Sequence, residues 1–422
     1  VRSLLLDVSP LRHRDFRLLW TGEVLSETGS NIAVVAVLIQ VYRLTGSSAA
    51  TGAIGLAQLP PLMAASLFGG PLIDRYDRRT LMLVSQVGQA AASGLLLAGA
   101  IAGSPPLLLV YVGAAAIAGF NGFGLATRTA MTPSLVPPDR LPSALALNQV
   151  MWQTALIVGP AVGGLVVGRY GLAWAYAIDV VSFGATIGAV LLMRPRPPVR
   201  SALGRVEERE SASGWQRFRD GFRYLKGRRV LQATFLVDLV AMVFGMPRAI
   251  FPELAATQFG GGGEIVGIML AAVAVGALVG ALTTGWVHRV RHQGAAILLA
   301  VALWGAAIVG FGVVDDRLWL ACGFLAVAGA ADVVSAVFRS TILQQTVPDD
   351  LRGRISGIHI TVVAGGPRLG DAEAGLVADA FSPRVSAISG GVLCLVGVGV
   401  LALAIPEFTR YVSPARPTED AV

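Results

Sequence analysis

Apolar runs of about twenty residues, the length a helix needs to cross about 30 Å of hydrocarbon, recur along the whole of this 422-residue chain. Twelve windows fit: 18–43, 48–73, 80–102, 107–131, 143–168, 171–193, 230–257, 262–287, 294–313, 317–343, 355–380 and 384–405. The chain is 54% hydrophobic and 14% charged, against roughly 45–50% and 25% for soluble domains. A water-soluble fold of this length has no interior large enough for so much apolar side chain. The expected class is therefore an all-α integral membrane protein. The opening stretch, VRSLLLDVSPLRHRDFR, lacks an apolar core followed by a small-residue cleavage site, so the first span itself is expected to direct insertion.

The net charge of +7 does not point to nucleic acid, because the basic residues fall in short clusters between apolar runs. With both termini in the cytoplasm, 27 of the 33 Lys and Arg lie on the cytoplasmic side, counting Arg128 and Arg339 with the connections they adjoin. Arg43, Arg169, Arg317 and Arg384 lie on the other side, and Arg248 and Arg368 lie within spans. An odd number of spans would scramble this partition. Cys322 and Cys394 sit inside apolar runs and read as packing residues.

The longest connection, residues 194–229, begins Arg194-Pro-Arg-Pro-Pro and holds eleven of the basic residues. It reads as a cytoplasmic linker between residues 1–193 and 230–405, each a six-helix half, with 406–422 as a cytoplasmic tail. Trp215, Phe218, Phe222 and Leu225 recur at helical spacing among arginines, the pattern of an amphipathic helix in the headgroup plane. An ordinary solvated helix is the alternative.

An internal repeat supports the two halves. Arg128-Thr followed by Val136-Pro137 returns 211 residues later as Arg339-Ser followed by Val347-Pro348, and Gly69 and Arg78 map onto Gly280 and Arg289. Gly159-Pro160-x-x-Gly163 reappears as Gly366-Pro367-x-x-Gly370 at an offset of 207. Paired six-helix repeats are an architecture of transporters that rock about a site between their halves.

Ionisable groups within spans cost at least about 2.5–3.5 kcal/mol each and mark candidate sites. The repeat offset carries Glu27 onto Asp238 and Asn121 onto Asp332, and helix rise places all four at nearly the same depth. They are expected to form a ring of polar groups in the inner half of a central cavity, whose carboxylates bind and release protons. Glu23, Glu27 and Asn31 share one helix face. Arg368, Asp371 and Glu373 follow Gly365-Gly366-Pro367, and Arg368 and Asp371, three apart, are expected to neutralise each other. Arg248 suits a carboxylate partner or an anionic substrate. Gln149, Trp152 and Gln153 suit either substrate contact or helix packing. For each charged residue the alternative is a structural ion pair or a side chain reaching toward an interface.

The segment containing Gly70, Asp74, Arg75, Asp77, Arg78 and Arg79 resembles the loop 2–3 signature of the major facilitator superfamily, G-x-x-x-D-R-x-G-R-R, with Asp77 in place of the glycine. The resemblance covers essentially the whole chain, including Phe222-Arg-Tyr-Leu, Met246-Pro-Arg248 and the stretch from Arg339 to Arg354. It implies the twelve-helix major facilitator fold in the exporter branch that includes macrolide-efflux and enterobactin-exporter-like proteins. In that setting Gly70, Asp74, Arg75, Arg78 and Arg79 form a conformational lock between the halves. Gly159, Pro160, Gly163 and Gly164 resemble the helix 5 antiporter motif, although its upstream glycines are missing and Ala155 stands at the nearer one. The helix 4 arginine of many family antiporters has no counterpart in Ala118–Gly122, which moves proton coupling to Glu27, Asp238, Asp332 or Asp371.

Other classes fit less well. Lys226 is the only lysine and is followed by Gly-Arg-Arg, so no Gly-x-x-x-x-Gly-Lys-Ser/Thr phosphate loop exists. No Gly-x-Ser-x-Gly elbow is present, and His288 and His292 are flanked by Arg289 and Arg291, poor neighbours for a metal cation. A channel or a receptor leaves the two-half repeat without a purpose. The expectation is a monomeric, proton-coupled exporter of small amphipathic organic molecules such as antibiotics or siderophores. It would sit in the bacterial cytoplasmic membrane, need no cofactor or metal, and not be an enzyme. An importer of the same superfamily, or a non-transporting membrane receptor or channel, is the alternative.

Overall fold

The computed structural model describes residues 7–195 and 214–412; a few side chains within helices, those of Asp74, Trp215 and Phe218 among them, lie outside the described set. Every described secondary-structure element is a helix. They are α1 Arg14–Thr45, α2 Ser48–Arg75, α3 Arg78–Ile101, α4 Leu107–Met131, α5 Leu141–Tyr170, α6 Leu172–Leu191 and α7 Gly214–Leu225. There follow α8 Arg229–Phe244, α9 Phe251–Thr257, α10 Gly263–Leu282, α11 Gln293–Val313, α12 Leu318–Thr346, α13 Asp349–Ala380 and α14 Pro383–Ala404.

A helix occupies each apolar window. Among the described residues, ten helical segments are long and apolar enough to cross a membrane, with α8 and α9 counted as one. The other two windows are filled by α2 and by α13, in which charged and polar residues interrupt the apolar pattern. The chain is a multi-pass membrane protein.

The seventh window departs from a single helix. It breaks at Gly245-Met246-Pro247 into α8, a 3-10 turn over Arg248–Ile250 and α9. The Gly245 amide closes the last turn of α8 on the Ala241 carbonyl at 2.9 Å, and Pro247, with no amide hydrogen, cannot extend the ladder. The break sets Arg248 on a turn between two helix ends.

The two halves repeat the same packing. α2 lies on α4 as α10 lies on α12, α3 lies on α4 and α6 as α11 lies on α12 and α14, and α1 lies on α5 as α8 lies on α13. Between halves, α2 packs on α13 and α5 on α10. We call the end where α1, α3 and α5 begin the terminal end, because both described chain ends reach it: Asp7 meets Arg140 before α5 at 3.4 Å, and Glu407 meets Arg229 at the start of α8 at 3.4 Å. The opposite end is the far end.

Among the described residues, the closest crossings between the halves lie toward the far end. A Cβ at Gly52 would overlap the Asp371 carbonyl, and one at Gly55 would lie 2.6 Å from that of Arg368. On the second seam a Cβ at Gly164 would lie 2.5 Å from the Gly263 carbonyl. These crossings need glycine because backbone meets backbone. Toward the terminal end the seams loosen. A Cβ at Gly365 would lie 3.4 Å from Leu59, while Gly69 faces Phe123 of its own half and Gly70 faces open space. On α10, Gly276 and Gly280 turn to α12 within their own half.

The linker helix α7 is anchored at one end. Leu225 is buried with Leu343, Val347, Ile355 and Ile358 of α12 and α13, whereas Phe222 is 52% exposed. Its last turn thus docks on the second half instead of resting wholly among headgroups.

Candidate functional site

α1 is the polar axis of the first half. Glu23 and Glu27, four residues apart, project from one face, and Arg128 reaches both from α4, at 2.5 Å to Glu23 Oε2 and 3.0 Å to Glu27 Oε1. Gln86 of α3 donates to Glu23 Oε1 at 2.8 Å. Glu23 and Arg128 are buried and Glu27 nearly so, and a small polar pocket beside them is lined by Ser26, Ser30, Gln89 and Asn121. Asn121 donates to Gln89 Oε1 at 3.5 Å. Two carboxylates share one guanidinium, so the cluster is one negative charge in excess with both ionised and neutral after one proton is added.

The second half builds the same device from repeat-related residues. Arg339 of α12 pairs with Asp238 of α8 and, at 3.5 Å, with Asp332 of its own helix. Again one arginine serves two carboxylates. The four repeat-matched polar residues therefore do not form one ring: they divide into two clusters, each closed on an arginine of its own half.

Arg128 and Arg339 were assigned from sequence to helix ends and counted as topogenic charge. The structure instead draws both inward, with side chains 9% and 5% exposed. Arg128 stands on the same helix as Ala118–Gly122, about two turns further on. The repeat had singled out both arginines; their distance from any acidic residue in sequence concealed the pairing. Asp179 of α6 was missed altogether, although an acidic residue inside an apolar window is itself a signal. It is fully buried and accepts from Ser93 at 2.7 Å and Ser30 at 3.2 Å.

On α13 the expected Arg368–Asp371 pair does not form. Asp371 is engaged by Arg248, whose Nε and Nη2 lie 3.3 and 2.6 Å from its two oxygens. Arg368 instead runs back along its own helix, where Nη1 donates to the Ala364 carbonyl at 2.5 Å. The cause is directional: helical side chains lean toward the N-terminus, which takes Arg368 away from Asp371. Glu373 is half-buried on another face.

The remaining candidates are scattered. Asn31 donates to the Glu27 carbonyl at 2.8 Å and packs against Gly159, so it closes the α1–α5 contact instead of joining the carboxylates. Gly163 also faces α1, at Ile32, while Gly164 faces Gly263 and Gly267 across the halves. The helix 5 motif, with Pro160 inside the helix, thus serves an intra-half seam and an inter-half seam together. Gln149 and Gln153 lie toward the terminal end on the Gly164 side of α5, and Trp152 is 44% exposed.

Among the described residues of loop 2–3, Arg78 and Arg79 bond within their own half. Asp77 caps α3 by accepting from the Thr80 amide at 2.9 Å. Arg78 donates to the Ala130 carbonyl at 2.9 Å, and Arg79 to those of Val190 and Leu191 at 2.9 and 2.6 Å. These cations serve the C-terminal carbonyls of α4 and α6, the negative ends of helices in the same half. Arg75 lies 5.7 Å from the Tyr76 ring.

Polar contacts between halves lie at the far end. Asp379 at the end of α13 accepts from Ser47 Oγ at 2.5 Å and from the Ser48 amide at 2.8 Å, and Ser48 Oγ donates to Glu253 of α9 at 2.6 Å. At the terminal end a groove of about 450 Å³ opens beside α12 and α13, lined by Ser340, Leu343, Ile355 and His359. The residues lining it all belong to the second half; among the described residues, the close crossings between the halves lie toward the far end.

The profile of the transmembrane secretion effector family matches residues 6–419. Enterobactin exporter EntS of Shigella boydii is 27% identical over 413 residues, covering 97% of this chain and 96% of that protein, and EntS of Escherichia coli matches equally. Among solved structures, a bacterial homologue of the human lysosomal transporter Spinster, inward-facing and unoccupied, superposes with a TM-score of 0.68 at 17% identity, over 97% of this chain and all of that one. A POT family transporter bound to 5-aminolevulinic acid superposes with a TM-score of 0.74 at 11% identity, over 94% and 97%. Those two likenesses speak for the fold alone. The chain belongs to the transmembrane secretion effector family of the major facilitator superfamily, and it is a membrane transporter and not an enzyme.

Proposed function

We propose that this protein exports a small amphipathic organic molecule, of the siderophore or antibiotic kind, across the bacterial cytoplasmic membrane by exchange with protons. The halves rock about their interface, twelve helices cross the bilayer, and both termini lie in the cytoplasm. The observation that carries this reading is that, among the described residues, the close inter-half crossings lie toward the far end. With the basic connections in the cytoplasm, that geometry is a transporter open inward, ready to load cytoplasmic solute. The similarity to the enterobactin exporter supports the direction and the siderophore class.

Coupling is assigned to the two arginine clusters. A proton on Glu27 or Glu23 leaves the other carboxylate to balance Arg128, so a charge enters without stranding a buried ion. Asp238 and Asp332 offer the same exchange at Arg339. Neutralising Glu23 or Glu27 also loosens a charge-assisted bond between α1 and α4, and neutralising Asp238 one between α8 and α12, which links proton occupancy to helix position. The transporter acts as a monomer, since each half supplies one complete cluster and together they enclose the cavity.

Counterflow in liposomes tests the carrier itself. A panel of macrolides, dyes and siderophores is offered outside vesicles preloaded with the same unlabelled compound. Exchange that saturates and is stimulated by internal solute supports alternating access; leak proportional to concentration, or no uptake of any compound, refutes it.

A further inference from the structure

On α13, Arg368 does not meet the carboxylate three residues away that its spacing offered. Asp371 is committed at both oxygens to Arg248. With Arg248 and Asp371 paired to each other, Arg368 has no carboxylate within ion-pair distance among the described residues. Among the described residues, the buried Nε of Arg368 has no hydrogen-bond partner, and its recorded bond goes to a carbonyl of its own helix. Arg78 and Arg339 also leave Nε unbonded, but each spends another nitrogen on a different helix. Arg368 alone of these three has no such partner. A buried guanidinium without a counter-ion is costly unless something else supplies one.

Its position suits an external counter-ion. The Arg368 backbone lies at the α2–α13 crossing beside Gly55, where the halves are still in contact. The side chain runs from there toward Ala364, the direction in which the seam opens. Arg368 therefore stands on the seam between the halves, with its guanidinium laid back along α13. A planar fork with free N–H donors in an apolar setting selects carboxylates and related oxyanions.

We propose that Arg368 is the anion-binding subsite of this transporter, holding a carboxylate or comparable anionic group of an amphipathic solute, with Arg248 held back from that role by Asp371. The inference deepens the export reading and rests on it for the identity of the cavity. On this assignment the solute neutralises Arg368 in the loaded state. Its departure leaves the guanidinium without a counter-ion again.

The test is equilibrium dialysis of radiolabelled 1-naphthoate and its neutral amide, 1-naphthamide, against the full chain in nanodiscs. Wild type is expected to bind naphthoate saturably and at least about tenfold more tightly than naphthamide. Arg368→Gln is expected to lose that preference, Arg368→Lys to keep most of it, and naphthamide binding to stay level across all three, which also reports that the variants are folded. Equal binding of acid and amide by wild type, absence of saturable naphthoate binding, or full naphthoate affinity in Arg368→Gln overturns the assignment. Counterflow separates this from the carrier reading: exchange of any panel solute together with equal binding of acid and amide sinks only the subsite. If no panel solute exchanges, the carrier reading falls, while the dialysis still decides the role of Arg368.

Discussion

Arg339 binds Asp238 across 101 residues of chain, the separation that also joins Arg128 to Glu27. The duplication thus preserved a contact between a fourth helix and a first helix, not merely a pattern of spans. In each half the arginine holds two carboxylates, although the second differs: Glu23 comes from α1, and Asp332 from the arginine's own helix.

Removing a shared arginine should cost more than removing either acid. Arg128→Leu strands Glu23 and Glu27 in a buried site and is expected to destabilise the protein by about 3–5 kcal/mol. Adding Glu23→Gln and Glu27→Gln to Arg128→Leu should recover part of the loss, because no buried charge then lacks a partner. Thermal unfolding in detergent reads both; a triple variant no more stable than Arg128→Leu would show that the cluster is held by packing instead.

The two acids on Arg339 should not be equivalent. Asp238 is 3% exposed and Asp332 is 36% exposed at 3.5 Å. Asp238→Asn is expected to lower stability by about 3 kcal/mol, whereas Asp332→Asn, partly screened by solvent, costs about 1 kcal/mol or less. The same unfolding measurement ranks them, and equal losses would contradict the geometry.

Closure at the far end should depend on small residues. Gly52→Leu drives a side chain into the α13 backbone at Asp371 and is expected to hold the far end apart, with transport reduced at least about tenfold and the protein still folded. Labelling of a cysteine introduced by Ala50→Cys, with Cys322 and Cys394 replaced by serine, should rise in this variant. Unchanged labelling and transport would mean that the seam relaxes around the leucine.

One acid outside the membrane makes a pH prediction. Asp7 is held at about 2, below its ordinary 3.8, first by the Ser9 amide, then by the Ser143 and Ser9 hydroxyls, with Arg140 adding charge. Its folded value is depressed, so the tie it makes between the chain start and α5 is fully present above about pH 3.8 and is lost as pH falls toward about 2. Hydrogen exchange of residues 8–13 should be slow at pH 5, faster in Asp7→Asn at that pH, and alike in the two proteins near pH 2. Equal exchange at pH 5 would remove Asp7 as the anchor.

The helices were legible because apolar runs are long and the repeat is exact at 211 residues for Arg128 and Arg339. The break at Gly245–Pro247 was not, since hydropathy runs on through it while the missing Pro247 amide interrupts the ladder. Intramembrane acids were visible as residue types, but which cation each would meet was not. Asp371 illustrates why: sequence offered Arg368 three residues away, whereas side-chain direction along α13 and the turn bearing Arg248 decided the pair. The loop 2–3 arginines were readable as a motif, yet their partners here are helix-end carbonyls, which leave no trace in residue types.

The most direct test of the account follows internal pH in liposomes holding purified protein while an exported siderophore or macrolide is supplied, with wild type compared against Glu27→Gln, Asp238→Asn and Asp332→Asn. Solute-dependent proton movement by wild type, lost in one or more of these variants, is the expected result. Solute crossing without proton movement, or variants indistinguishable from wild type, would contradict coupling through the arginine clusters and leave these carboxylates with a structural role only.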